Sequence, residues 1–491
     1  MMNFRNAARW LANALSVLIL SACSLAPTYN RPTIDVPATY KEAEGWKTAQ
    51  PRDDIRRGNW WEIFGDPQLN ALIERIDLSN QNILFAEAQY RQARSLVQQS
   101  RASLFPSLTG SADVTRVGAG SGTSSLRGSG PANTYSVAVD ASWEVDLWGR
   151  LRNTVSSNLA GAQASAADIE SARLSAQSEL ASNYFQLRSL DAQRQILDDS
   201  VAAYQKSLDV TRNRYAAGVA GKVDVVQGET QLKSTQAQAV YIGVQRAQFE
   251  HAIAVLVGKA PADFSIPPTP LTAGVPAIPL SLPSELLERR PDIAAAERRV
   301  AAANERIGVA KAAFFPALTL SGSAGFQSNT LGNLISAATH FWSIGPSIAQ
   351  SIFDAGLRRA LTEQAIAFYD ANVAAYRQTV LTSFQEVEDN LAALQILEQE
   401  AIVQEQAVQA ARQSLDLTIN QYKAGTVSYL NVVIVQTATL NNERTLVGIH
   451  GRQLTSAVTL VKALGGGWNA SQLASGERAT PVATTDPAPK P

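Results

Sequence analysis

The chain carries one pattern twice, at a fixed spacing. Tyr215-Ala216-Ala217-Gly218 returns 207 residues later as Tyr422-Lys423-Ala424-Gly425. Leu147-Trp148-Gly149-Arg150 returns in weaker form as Asp354-Ala355-Gly356-Leu357, and Val257-Gly258 as Leu464-Gly465, both at that same distance. Phe105-Pro106 and Phe315-Pro316 lie 210 residues apart, so the length change falls between Pro106 and Gly149. Repeats of about 20 to 50 residues build solenoids. A unit of this size is instead a duplicated half-molecule, so the content of one half dictates the architecture.

Charge is nearly balanced, with 42 Lys and Arg against 43 Asp and Glu. Nucleic-acid binding needs a concentrated basic face, and this balance gives no electrostatic case for it. One cysteine in 491 residues excludes an intrachain disulfide framework. That cysteine is placed tellingly. Arg5 and Arg9 form a positive region, Leu11 to Leu20 an apolar one too short to span a bilayer, and Leu20-Ser21-Ala22-Cys23 resembles a bacterial lipobox. Residues 1–22 thus read as a lipoprotein signal peptide and Cys23 as the lipid-modified amino terminus, palmitate included. Ser24 is not the aspartate that retains lipoproteins in the inner membrane. Cleavage would leave 40 basic against 43 acidic residues. No later stretch supplies eighteen uninterrupted apolar residues, so a membrane-crossing mature chain must do so as a barrel.

Each half reads as helix, two strands, long helix, short helix. Between Gly149 and Tyr215 there is no proline, and Leu151, Val155, Leu159, Ala162, Ala166 and Ile169 keep helical rhythm. Some 66 residues of helix reach about 100 Å. Gly218-Val219-Ala220-Gly221 then turns the chain, and a shorter helix returns from Val223 to about Val257. The second half repeats this with Leu357 to Gln421, a turn at Gly425-Thr426-Val427, and a return from Leu430 to about Leu464. Taken alone, these hairpins also suit a coiled-coil rod.

The strands shift that balance. Tyr135, Val137, Val139, Ala141, Trp143 and Val145 alternate with Ser136, Asp140, Ser142, Glu144 and Asp146. Leu108 to Thr115, Leu318 to Phe326 and Trp342 to Ile352 alternate likewise. Period two over ten or more residues matches a transmembrane β-strand. Four strands cannot close a barrel, for which about eight are the minimum, and open edges are not tolerated in lipid. Several copies must therefore combine. Pro106 and Pro316 end the preceding helices, expected over Leu69 to Ser103 and Asp292 to Ala313.

Two stretches are specific. Leu286-Leu287-Glu288-Arg289-Arg290-Pro291-Asp292-Ile293 runs on through Ala295-Ala296-Glu297 to Ile307-Gly308-Val309-Ala310-Lys311-Ala312-Ala313-Phe314-Phe315-Pro316, and Trp60-Trp61 precedes Phe64-Gly65-Asp66-Pro67-Gln68-Leu69. On these motifs the chain resembles TolC-like outer membrane factors, in the lipoprotein (NodT-type) subfamily serving RND-type efflux pumps. The likeness runs from the lipobox to about Trp468. It implies an internally duplicated α+β fold: four strands contributed to a trimeric 12-stranded transmembrane β-barrel, and a long periplasmic α-helical barrel. It also implies a homotrimer anchored in outer-membrane lipid, working with a periplasmic adaptor and an inner-membrane RND-type transporter. The expected divisions are 1–22 signal, 23–68 anchored segment, 69–265 first repeat, 266–283 Pro-rich linker, 284–468 second repeat and 469–491 disordered tail. Strands are expected at about 107–117, 134–146, 317–327 and 341–353, with helical hairpins at about 150–258 and 356–464.

In this family the hairpin tips close the channel and dock the adaptor. The docking tips map onto Gly218, Val219, Gly221, Gly425, Thr426 and Val427. Relatives often carry Tyr-Leu-Asp-x-x-Asp at the second tip; this chain reads Tyr429-Leu430-Asn431-Val432-Val433-Ile434. Asn431 and Ile434 replace both aspartates, while Asp224 occupies the corresponding place in the first half. The implied gate is Leu430, Asn431, Ile434 and Asp224, an apolar constriction in place of an acidic ring. Arg290-Pro291-Asp292 reads as structural, since proline suits a first helical turn and aspartate its positive end.

Catalysis is not expected. His251, His340 and His450 stand apart, with no metal-ligand spacing, and no glycine-rich phosphate loop has the required context. No cofactor or metal is implied. The reading is a passive exit channel for small molecules from an inner-membrane pump; a duct for type I protein secretion or for metal-ion efflux is the alternative, and a lipid-anchored scaffold without a pore is a third. Methionine occurs only at positions 1 and 2, which argues against a copper relay along the channel.

Overall fold

A computed structural model describes residues 24–43, 59–118, 131–271, 273–278, 280 and 283–472. The expected signal peptide, Cys23, most of the first strand-connecting loop and residues 473–491 lie outside them. The first repeat begins with α1 (Pro67–Ser79) and α2 (Gln81–Ala102), then β1 (Ser107–Val117) and β2 (Ala132–Val145), then α3 (Arg150–Ala216) and α4 (Lys222–Leu256). The second follows with the short α5 (Leu286–Arg289), α6 (Pro291–Ala312), β3 (Ala317–Ser328), β4 (His340–Ala349), α7 (Leu357–Ala424) and α8 (Tyr429–Ala463). The expected order is therefore present, with three differences. Helix Leu69–Ser103 is broken at Asn80, β4 stops at Ala349 instead of 353, and Ala470–Gln472 at the start of the tail forms a 3-10 turn.

The break at Asn80 has a physical cause. Asn80 leaves helical geometry (φ −69°, ψ 120°) and its Oδ1 caps the amides of Asn82 and Ile83 at 3.0 and 3.2 Å. Its Nδ2 donates to the Leu256 carbonyl at 2.8 Å, and the Ser79 hydroxyl to that of Val257 at 2.8 Å. Gly258 sits so close (φ +69°) that a Cβ there would lie 2.3 Å from the Ser79 oxygen. The second repeat does the same with different side chains. Arg290 breaks the chain between α5 and α6 and donates to the Ala463 carbonyl at 3.2 Å. A Cβ on Gly465 (φ +93°) would lie 2.1 Å from the Arg289 oxygen. Arg290 also holds Asp292 with two bonds of 3.1 and 2.7 Å and Glu386 at 2.7 Å. Pro291 takes the first helical position, as the motif predicts.

Around this paired clasp lies the main core, shared by both repeats: Leu69, Ile73, Ile76, Tyr184 and Phe185 from the first, Tyr376, Val387, Leu391, Leu454 and Val461 from the second, with Trp60 from the segment before them. Above it the strands form one antiparallel sheet in the order β1-β2-β3-β4. The β2–β3 pairing, Tyr135 opposite Ser328 through Val145 opposite Leu318, stitches the repeats together. Trp148 reinforces this seam below the sheet, stacking on Phe315 at 4.6 Å and donating to the Pro316 carbonyl at 2.8 Å. Strand turns to helix at Gly149 (φ +76°) and Gly356 (φ +90°), left-handed positions that suit glycine. No described helix is long and apolar enough to cross a membrane.

Residues 24–42 strap the outside of this body. Tyr29 donates to Glu297 Oε1 at 2.6 Å, Arg31 to the Tyr376 hydroxyl at 3.2 Å, and the amides of Lys41 and Glu42 to Glu388 at 2.8 and 3.0 Å. Removing the buried Arg290 side chain strands two carboxylates and a carbonyl. Arg290→Ala is expected to cost roughly 3 kcal/mol, read as a lowered thermal midpoint in detergent, while Glu386→Gln costs less.

Candidate gate at the helix tips

Both tips are closed by short backbone bonds around a left-handed glycine. At the first, the amides of Val219 and Ala220 reach the Arg214 carbonyl at 2.9 and 3.3 Å, with Gly218 at φ +73°. At the second, Thr426 binds the Gln421 carbonyl through its amide and hydroxyl, both at 3.0 Å, with Gly425 at φ +78°. Gly221 precedes α4 in extended geometry, and Asp224 falls in the first helical turn. Val219 is exposed and Val427 half-buried.

The implied gate residues divide by helical face. Leu430, Asn431 and Ile434 share one exposed face of α8, whereas Tyr429 and Val432 turn inward and are buried. Asp224 is half-buried on α4 and close enough to Tyr429 to add to the rise in that phenol's pKa, which burial chiefly causes. Leu430 and Ile434 are 48% and 56% exposed in the single chain, an apolar pair about half open to solvent.

A tyrosine and arginine cluster behind that face was not singled out by sequence reasoning. Tyr422 and Tyr429 meet edge to face at 5.2 Å. The Tyr422 hydroxyl donates to Thr211 Oγ1 at 3.3 Å, and the Tyr429 hydroxyl shares a 3.3 Å bond with Ser207. Arg214 covers the Tyr422 ring at 5.0 Å and donates to the Lys423 carbonyl at 2.9 Å. Gly228 makes room, for a Cβ there would lie 3.1 Å from the Tyr429 hydroxyl. These contacts fasten the tip of the first hairpin to that of the second. A further bond lies higher up, where the buried Tyr204 hydroxyl donates to the Gln436 carbonyl at 2.9 Å; burial pushes its pKa up to about 12. The repeated Tyr-x-Ala-Gly pattern pointed to this place without showing its asymmetry. Tyr422 is 6% exposed, while its counterpart Tyr215 is 47% exposed.

No metal-holding group of His, Cys, Asp and Glu occurs among the described residues. A cavity of about 410 Å³ lies higher on the helical body, lined by Trp60, Trp61, Arg173, Gly466 and Trp468 among others, away from the tips.

Residues 72–259 and 282–466 each match the outer membrane efflux protein family, one match per repeat. The chain belongs to the outer membrane efflux protein family. Over 463 residues it is 33% identical to the probable efflux pump outer membrane protein TtgC of Pseudomonas putida, covering 93% of this chain and 95% of that one. It is 29% identical to the cation efflux system protein CusC of Escherichia coli, covering 92% and 97%. Among solved structures, the outer-membrane channel OprN superposes with a TM-score of 0.84 at 30% identity, over 91% of this chain and all of that one. The duplicated α+β architecture is thus that of outer-membrane channels.

Arg214 brings together a charge-assisted bond and a ring contact, together worth about 2 kcal/mol. Arg214→Ala is expected to raise amide hydrogen exchange roughly tenfold or more in residues 214–226 and 421–434. The core helices near Leu454 stay protected.

Proposed function

We propose that three copies of this chain form the outer-membrane exit channel of a tripartite efflux pump. Small toxic molecules then pass outward from an inner-membrane RND-type transporter and a periplasmic adaptor. Unlike edges support the ring. The sheet ends in β1 on one side and β4 on the other, so one copy's first half meets the next copy's second half. Such heterologous contacts close into rings. The helical layer offers matching patches. Val240, Tyr241 and Val244 are exposed on α4; Ile396, Ile402 and Val403 are exposed on α7. They stand at one height, since Gln238 bonds Arg444 and Gln404 bonds Asn442 across the intervening α8. Three chains supply twelve strands, above the barrel minimum of about eight.

The duct is passive and performs no catalysis; energy comes from the transporter. Cys23 carries the lipid that anchors each copy in the outer membrane. Leu430 and Ile434 of the three copies line an apolar constriction. The Arg214–Tyr422 cluster holds it shut, and contact of the adaptor with Gly218, Val219, Gly221, Gly425, Thr426 and Val427 loosens it. With Asn431 where relatives often carry aspartate, the constriction has no carboxylate ring beyond Asp224. The observation that carries the gate is the exposed Leu430–Ile434 pair beside a buried tyrosine latch.

Leu430→Gly is expected to raise single-channel conductance severalfold in planar bilayers; unchanged conductance would retire the constriction. Asn431→Asp should shift the reversal potential toward cation selectivity under a salt gradient. Deleting the gene is expected to sensitise cells to chemically diverse organic compounds, as for a multidrug pump. Sensitivity to a single metal salt would instead assign the channel to cation efflux, and accumulation of an unsecreted protein would assign it to secretion.

A further inference from the structure

Three distant stretches of the chain enclose the cavity of about 410 Å³ on the helical body: the segment entering α1 with α1 itself, the middle of α3, and the glycine run after α8. Small-molecule sites have volumes on the order of 300–1,000 Å³. Three of the chain's eight tryptophans line this one, Trp60, Trp61 and Trp468. The same walls carry Glu74, Asp77 and Glu170, so the cavity is not a mere apolar packing gap.

Helical spacing places the polar groups. Glu74 and Asp77 are three apart on α1, while Glu170, Arg173 and Gln177 share one face of α3. Arg173 pairs with Asp77 at 3.2 Å and with Glu170 at 2.6 Å. Gln177, 4% exposed, accepts from Trp60 Nε1 at 3.2 Å and donates to Asp77 at 3.4 Å. Gly466 is left-handed (φ +58°), and a Cβ on it would lie 2.4 Å from Leu174 Cδ1, so the glycine run lies flat on the α3 wall.

Two groups are left over. Glu74 has no ion pair or hydrogen bond among the described residues, so three carboxylates against the single Arg173 leave the wall an excess of negative charge. Trp61 is 3% exposed, and its indole N–H has no acceptor among the described residues. A buried donor without a partner is costly, so this one marks a place for an acceptor. Indole rings and unpaired carboxylates both favour a cation beside them.

We infer that this cavity binds a small primary amine that carries a hydroxyl or carbonyl oxygen near its ammonium group. The ammonium lies against Glu74 and Asp77, and the oxygen accepts from Trp61 Nε1. An amino sugar and a basic amino-acid amide share this chemistry. Gly465 lines the cavity and also meets the Arg289 carbonyl oxygen at the clasp, so the occupant bridges α1, α3 and the clasp of the second repeat. Binding then stabilises the folded chain by mass action.

The test titrates assembled wild-type channel in detergent with lysinamide and with glucosamine, and N-acetylglucosamine is the neutral control. Calorimetry reads affinity, and the thermal midpoint is followed alongside. The expected result is saturable binding of at least one amine, a raised midpoint, and roughly tenfold weaker binding of the control. Lysinamide alone assigns the site to a peptide-derived amine, and glucosamine alone to a sugar. Glu74→Gln, at the surface of α1, is expected to weaken binding about tenfold and to leave the ligand-free midpoint unchanged. Trp61→Phe keeps the ring, loses the N–H and weakens binding severalfold. No saturable binding of either amine would overturn the site. Equal binding of N-acetylglucosamine, or wild-type affinity in Glu74→Gln, would overturn it as well.

Discussion

Everything in this molecule hangs from one repeated contact, the side chain at a helix break reaching the last-turn carbonyl of a returning helix. In the first repeat Asn80 reaches the Leu256 carbonyl; in the second Arg290 reaches that of Ala463. Each is paired with a left-handed glycine, Gly258 or Gly465, whose missing side chain lets two backbones come together. The long helices also meet farther along, at Tyr204–Gln436 and Tyr422–Thr211. These clasps fix them at one level, so the strands above and the tips below are held by the same point. The two clasps use unlike chemistry for one geometry. Arg290 replaces a neutral amide with a buried cation and must therefore bring Asp292 and Glu386 with it.

Duplication explains the frame, and the proposed gate lies where the repeats depart from it. The repeats agree where the fold needs two equal supports, at the clasps and at the glycines that turn strand into helix. They diverge at the tips. Tyr215 lies exposed and Tyr422 buried, and Asp224 has an asparagine at the corresponding position 431. A tip built from two identical halves would lack this split between a buried tyrosine and an exposed one. Unlike halves also give unlike edges, which is why copies meet head to tail instead of face to face.

On the proposed reading the apolar tips bear on selectivity as well. A ring of carboxylates attracts cations over a Debye length, whereas leucine and isoleucine exclude water and ions alike until moved apart. Relatives whose names refer to toluene, antibiotics or cations share this architecture, so the frame itself places little demand on cargo.

The sequence by itself determined the duplication, the order of elements and the barrel-type strands, because periods of 2 and 3.6 and left-handed glycines are local properties of the chain. It also marked Leu430, Asn431, Ile434 and Asp224 through resemblance, and Cys23 through its place after an apolar run. It did not reveal the break at Asn80, since asparagine inside an amphipathic run is legible as a cap only when the Leu256 carbonyl is seen beside it. Nor did it reveal Arg290 as a hub, the tyrosine cluster behind the proposed gate, or the groove at Gly308 that holds residue 26. Each joins residues from more than 90 to almost 300 positions apart. Such pairings are decided by which helix faces meet, and only the packed tertiary structure settles that.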